Sequence, residues 1–400
     1  MFGGIADSGV CEALAATTCD VAIIGLGAVG AAAAVALTRR GAKVIGFDRF
    51  SPPHTSGSSH GGTRVTRLAI GEGDHLTPLA IRSHELWRQI EEETGGSLLE
   101  QTGALIISSE VNAAVTHVEG FFARTIAAAE TFGIAHEVLD AGDIRARWPQ
   151  FKVHNNEMGY FEPSAGFVRP EECVRAQLKL AQRHGADIHV NEEVLGFDLS
   201  SSCVTVKTSE GCYSAHKLVL SAGAWLPDLL GARYGSLFKV YRQAQFWFEV
   251  DDLDALSATR FPVFIWELQN SKQGLYGFPM VDGGTAVKVA SERFEVTTTP
   301  AVVNRKVSAE EIHAMAKLIA PHLCGISARC VEATACLYTV TPDFGFVIDK
   351  HPISERVIIA STCSGHGFKH SPAIGEALAD LALDRQGRFD LAPFRMTRFQ

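Results

Sequence analysis

Four hundred residues exceed the size of a typical single domain, so the chain is read as two. Charged residues at 20% and hydrophobic ones at 46% fit a soluble enzyme with a large core, and a net charge of −9 excludes general nucleic-acid binding while leaving room for a local basic pocket. No apolar run approaches the ~18 residues needed to span a bilayer, and residues 1–17 lack the basic start of a secretory signal, so they read as a loose N-terminal extension of a cytoplasmic protein.

Residues 21–24 form the short apolar run of a buried parallel strand. Gly25, Gly27 and Gly30 follow in G-x-G-x-x-G spacing, then a run of strong helix formers from Ala31 to Leu37. A second apolar strand, 43–47, ends at Asp48. In this context Gly25 permits the tight turn, Gly27 leaves room for a pyrophosphate and Gly30 lets helix and strand approach. The helix N-terminus offers N–H groups to phosphates, and Asp48 can accept from ribose hydroxyls. The pattern predicts a dinucleotide site without choosing between NAD and FAD.

Residues 49–73 make a long polar loop holding His54, His60, Arg64 and Arg67. An ordered loop of this kind, leading straight into the helix expected over 78–93, is a natural wall for an active site. A strand is expected over 103–108, a mostly helical stretch over 111–132, a helix from Pro170 to about 184, and strands over 188–194, 204–207 and 217–221. From 241 to 288 apolar residues recur with a period near two, as in a mixed or antiparallel sheet. Helix returns over 308–320, strands over 334–338 and 356–360, and a last helix opens at Ser371-Pro372, with Ser371 read as its N-cap. The fold class is therefore α/β with an α+β second domain. A Rossmann-like dinucleotide domain (18–92, 149–226 and 338–393) encloses an inserted substrate domain (93–148 and 227–337). Nine Cys without metal-knuckle spacing predict free thiols and no metal site.

Four segments coincide: the glycine fingerprint with Asp48, SPPHTSGSSHGGTRVTR, ATACLYTVTPDFGFVID and SGHGFKHSPAIGE. Together they resemble the monomeric sarcosine oxidase and N-methyltryptophan oxidase family, FAD-dependent amine oxidases of D-amino-acid-oxidase-like fold. The resemblance spans nearly the whole chain. It implies FAD, carried covalently by Cys336 of the C-x-Y-T segment, and a monomer acting on an amino acid with a free carboxylate. Arg67 and Lys369 match the positions that hold that carboxylate. His60 and Arg64 match residues close to the flavin, Lys288 matches a lysine assigned to oxygen activation, and Tyr276, Gly365 and Gly367 fall in matching site segments. The implied reaction oxidises the C–N bond of a secondary amino acid to an imine. Oxygen is reduced to hydrogen peroxide, and N-methyl substrates release formaldehyde. Oxidation of a cyclic imino acid, a dehydrogenase feeding a carrier, and a flavin-binding protein without turnover stay open. One departure stands out: after Lys288 the sarcosine oxidases carry Gly-Tyr-His, where this chain has Ala290, Ser291 and Glu292. Phe264 and Trp266 are weighed as pocket residues against ordinary core.

Overall fold

The computed structural model describes residues 18–109, 118–271, 273–281 and 283–399. The N-terminal extension and the start of the helix expected from 111 lie outside these residues. Within them that helix covers Phe121–Phe132.

Thr18–Ile24 lies inside an eight-stranded sheet, parallel to Val44–Asp48 on one side and to Cys212–Leu220 on the other. Asp187–Val190 and Ser354–Ser361 extend the parallel set, and Val347–His351 pairs antiparallel to the latter. The stretch expected as one strand over 188–194 is broken at Asn191, whose φ of 58° is left-handed, a conformation asparagine tolerates better than most side chains. The chain then turns into an antiparallel hairpin of Val194–Leu199 and Val204–Thr208. The helix Ala28–Arg39 packs against Pro170–Arg183 and Ser371–Ala382. Ala31, Ala33 and Ala34 are fully buried, and their small side chains let these helices come close while Ile374, Leu378 and Val174 fill the gaps. Ser371 is not the N-cap expected. It is the first helical residue, His370 occupies the cap, and no side chain bonds there.

The second sheet has nine strands. Lys239–Val250 pairs with Ile326–Val340 on one side and with Ala286–Ala290 on the other. Leu275–Gly277, Val263–Glu267, Ala104–Ser108, Met158–Glu162 and Glu137–Leu139 follow in order, all antiparallel except the pairing of Val263–Glu267 with Ala104–Ser108. Met158–Glu162 comes from the segment assigned to the dinucleotide domain, and Ile326–Val340 runs three residues past the expected boundary at 337.

Side chains alternate across this sheet. Phe246, Phe248, Phe264, Trp266, Val287 and Val289 share one apolar cluster. Burying each such side chain stabilises by roughly 1.5–3 kcal/mol. The alternate positions Gln243, Gln245, Trp247, Ile265, Tyr276, Lys288, Cys336 and Tyr338 therefore take the opposite face. Register supports this: Gln243 lies opposite Cys336, Trp247 opposite Lys288 and Ile265 opposite Tyr276.

Among the described residues no helix is long and apolar enough to cross a membrane, and no group of His, Cys, Asp and Glu is arranged to hold a metal ion. The free-thiol expectation holds for Cys19, Cys173, Cys203, Cys324, Cys330, Cys336 and Cys363 but not for Cys212, which is disulfide-bonded.

Candidate active site

A cavity of about 720 Å³ runs between the C-terminal ends of the parallel strands and the polar face of the second sheet. At one end it is lined by Gly25, Gly27, Ala28, Asp48, Ala222 and Trp225. Gly25 has a φ of +90°, and a methyl group on Gly30 would sit 1.8 Å from the Gly25 carbonyl oxygen, so both glycines are required by backbone packing. Asp48 is pinned by accepting from the N–H of Leu26 and of Phe50, both at 2.9 Å. Its carboxylate still lines the cavity, where its remaining lone pairs face any ligand.

The polar loop is ordered and forms one wall. Glu171, in the first turn of the helix Pro170–Arg183, accepts from the N–H of Gly61 at 2.6 Å and of Gly62 at 3.2 Å. Arg64 lines the cavity and donates to the carbonyls of Thr63 (2.8 Å) and Ser58 (2.6 Å). His60 is buried just behind that lining, and burial followed by the charge of Arg64 lowers its pKa to about 3, so the ring is neutral.

Deeper in, Arg67, Glu72, Tyr276, Lys288, Tyr338 and Lys369 line the cavity together. Lys288 is buried and donates to the carbonyls of Gly61 (2.9 Å) and Thr63 (2.6 Å), with Nζ 4.2 Å from the Phe278 ring centre. Burial pushes its pKa well below the usual lysine value. Lys369 donates to the His366 carbonyl at 2.7 Å, and burial lowers its pKa to about 8. Arg67 is 1% exposed, pairs with Glu72 at 2.5 Å and also donates to the Ala69 carbonyl. Glu72 was not singled out from the sequence. Only the fold shows that it joins two buried cations, Arg67 and Lys369, whose mutual repulsion it offsets.

Cys336 lies on the same sheet face but is 1% exposed and just outside the cavity lining. Its sulfur accepts from Gln245 Nε2 at 3.3 Å. Burial raises the thiol pKa, while Arg64 and Lys288 work against that rise. Gly365 and Gly367 line the cavity, and Gly365 takes a left-handed φ of 84°. Phe264 and Trp266 do not line it. They belong to the core behind the sheet, and Trp266 donates to buried Glu157 at 2.7 Å; the intervening Ile265 is the lining residue.

Three cavity-lining hydroxyls, Thr63, Thr339 and Thr362, are buried with no hydrogen-bond partner, and His60 Nε2 is likewise unpartnered. Buried polar atoms are normally satisfied, so this lining fits a large polar ligand. A helix end able to take phosphates and an acid at the end of the second strand fit a dinucleotide such as FAD.

The profile described as FAD dependent oxidoreductase matches residues 20–381. The chain is 38% identical to a monomeric sarcosine oxidase of Streptomyces avermitilis, over 92% of this chain and 94% of the relative. It is 34% identical to an N-methyl-L-tryptophan oxidase of Salmonella typhimurium, over 95% and 99%. Among solved structures, NikD, an unusual amino acid oxidase essential for nikkomycin biosynthesis, superposes with a TM-score of 0.82 over 95% of this chain and 98% of its own. At 24% identity it bears on the fold alone.

Proposed function

Since the chain belongs to the FAD dependent oxidoreductase family, together with the monomeric sarcosine oxidases and N-methyl-L-tryptophan oxidases, we propose that it oxidises N-methyl amino acids at the C–N bond. The products are an imine, which water splits to release formaldehyde, and hydrogen peroxide from oxygen. The observation that carries this reading is one continuous cavity joining the G-x-G-x-x-G turn and Asp48 to the buried cations Arg67 and Lys369. When bound, FAD supplies the two-electron oxidation.

The protein's own groups bind and orient. Gly25, Gly27, Gly30 and Asp48 hold the dinucleotide. Arg64, backed by the buried His60, would stand at the flavin end, with Gly365 and Gly367 leaving room there. Arg67, as a planar fork, and Lys369, as a point charge, hold the substrate carboxylate. That fixes the N-methyl group in one orientation. Tyr276 closes the substrate side; burial pushes its phenol well above the usual tyrosine value, so it stays neutral. Lys288 provides positive charge where oxygen accepts electrons, worth more in a dry cavity than in water.

In this reading Cys336 would hold the cofactor through a thioether: the S–H bond and one methyl C–H bond give way to a C–S bond, and the two protons and two electrons released pass to oxygen, giving hydrogen peroxide. The Cys336 thiolate is the nucleophile such a bond needs, and Arg64 and Lys288 favour that form. Acid-precipitated protein should stay yellow and its mass should include FAD, whereas Cys336→Ser should release all flavin to the supernatant. A colourless wild-type precipitate would remove the linkage.

The central test is anaerobic mixing of the holoenzyme with a panel of N-methyl and cyclic amino acids. N-methyl substrates should bleach the flavin, and admitted air should restore the colour with one peroxide per turnover. Slow recovery in air with fast recovery by an artificial acceptor would make the protein a dehydrogenase instead. Bleaching by cyclic imino acids alone would move the substrate class.

A further inference from the structure

Residues 291–295 leave the strand Ala286–Ala290 and run along the cavity wall with alternating exposure. Glu292 and Phe294 are half-buried and line the cavity, and Arg293 between them is exposed. Gln243, itself 2% exposed, fixes that alternation. Its Nε2 donates to the Arg293 carbonyl at 2.6 Å, and its Oε1 accepts from the Arg293 N–H at 2.9 Å. Two bonds to one residue hold the backbone against rotation, so both neighbours point inward. The Phe294 ring is wedged edge-on against Tyr241 (5.5 Å between centres) and Phe344 (4.9 Å), and lies 6.4 Å from Tyr338. Glu292 therefore sits on a rigid support. Its charge reaches both cavity phenols, Tyr276 and Tyr338, and also Lys369 of the carboxylate clamp.

A carboxylate that shares a cavity lining with aromatic rings, as Glu292 does with Tyr276, Tyr338 and Phe294, is the chemistry that recognises an organic cation: the acid supplies a charge-assisted hydrogen bond and the rings a negative face. We propose that Glu292, with Tyr276, Tyr338 and Phe294, selects N-methyl amino acids whose side chain ends in an amine or guanidine. Arg67 and Lys369 take the α-carboxylate while Glu292 takes the distal cation. This rests on the N-methyl amino acid reading given above and narrows its substrate class.

The test compares Nα-methyl-lysine and Nα-methyl-arginine with Nα-methyl-norleucine, which keeps the carbon chain of lysine and lacks the ammonium. In anaerobic reduction of the holoenzyme, the cationic substrates should be preferred roughly ten- to a hundredfold, as expected for one charge-assisted contact. Glu292→Gln, which keeps the shape and removes the charge, should bring that ratio to within a fewfold of one. As a binding readout independent of turnover, 6-aminohexanoate should perturb the wild-type flavin spectrum at concentrations well below those needed for hexanoate, and Glu292→Gln should remove the difference. Equal rates with norleucine and lysine derivatives in the wild type would overturn the proposal and leave the N-methyl reading intact. So would an equal loss on every substrate in Glu292→Gln, which would put the carboxylate at the reacting amine. No bleaching by any member of the panel would overturn both.

Discussion

Lys288 meets two opposed demands. Burial, and after it the charge of Arg64, drive it toward the neutral amine, while Glu171 favours the ammonium. Its two carbonyl acceptors at 2.9 and 2.6 Å also hold the charged form better. A lysine with a lowered pKa loses its charge as pH rises, and does so earlier than an exposed lysine. If its charge speeds the oxygen reaction, flavin reoxidation should slow with rising pH well before the usual lysine range. Lys288→Met keeps the stem and removes both charge and titration. It should flatten that profile and slow reoxidation by about 10²–10⁴, the equivalent of about 3–5 kcal/mol, with a much smaller effect on anaerobic reduction. Stopped-flow separation of the two half-reactions decides it. Reoxidation within a fewfold of wild type would leave Lys288 a strand residue that only ties down Gly61 and Thr63.

At the scale of elements, the carboxylate clamp proposed for Arg67 and Lys369 would depend on Glu162 at the end of the strand Met158–Glu162. This fully buried side chain accepts from the N–H of Leu68 (2.7 Å) and Ala69 (3.1 Å), the Tyr160 hydroxyl (3.0 Å) and the Ser164 hydroxyl (3.0 Å). It thus fastens the chain next to Arg67 to the second sheet. Glu162→Gln replaces one acceptor oxygen by a donor nitrogen, leaving donors facing a donor. The expected cost is about 1–3 kcal/mol. Denaturant unfolding should show a lower midpoint, and the KM for an N-methyl amino acid should rise more than kcat falls because Arg67 loses its fixed position. An unchanged midpoint and KM would show that water replaces the lost contacts without displacing the segment.

For the whole molecule, the first domain's architecture was legible because its signals are local. The run 21–24, the glycine spacing and Asp48 each act within one turn or one strand–helix unit, and the profile match over residues 20–381 bears out the family. The same holds for the period-two aromatic strands that form most of the second sheet. Sequence did not decide parity: a strand of period two has two faces, and only packing tells which is core. That is why Phe264 and Trp266 were candidates while Ile265 lines the cavity. Nor did it show Glu171 beneath Gly61 or Gln243 holding Arg293, because each of these pairs unites segments whose contact the fold alone creates; Glu72 lies only five residues from Arg67, and the path of the loop between them decides that they pair. What the sequence by itself determined was the dinucleotide turn, the α/β class and the residue types the chemistry needs, since these rest on local backbone geometry and composition. What the tertiary structure decided was their juxtaposition: which charges share one cavity, which carboxylates balance them and which way Glu292 points, because those depend on how the chain folds segments from a few to some hundreds of residues apart onto one another.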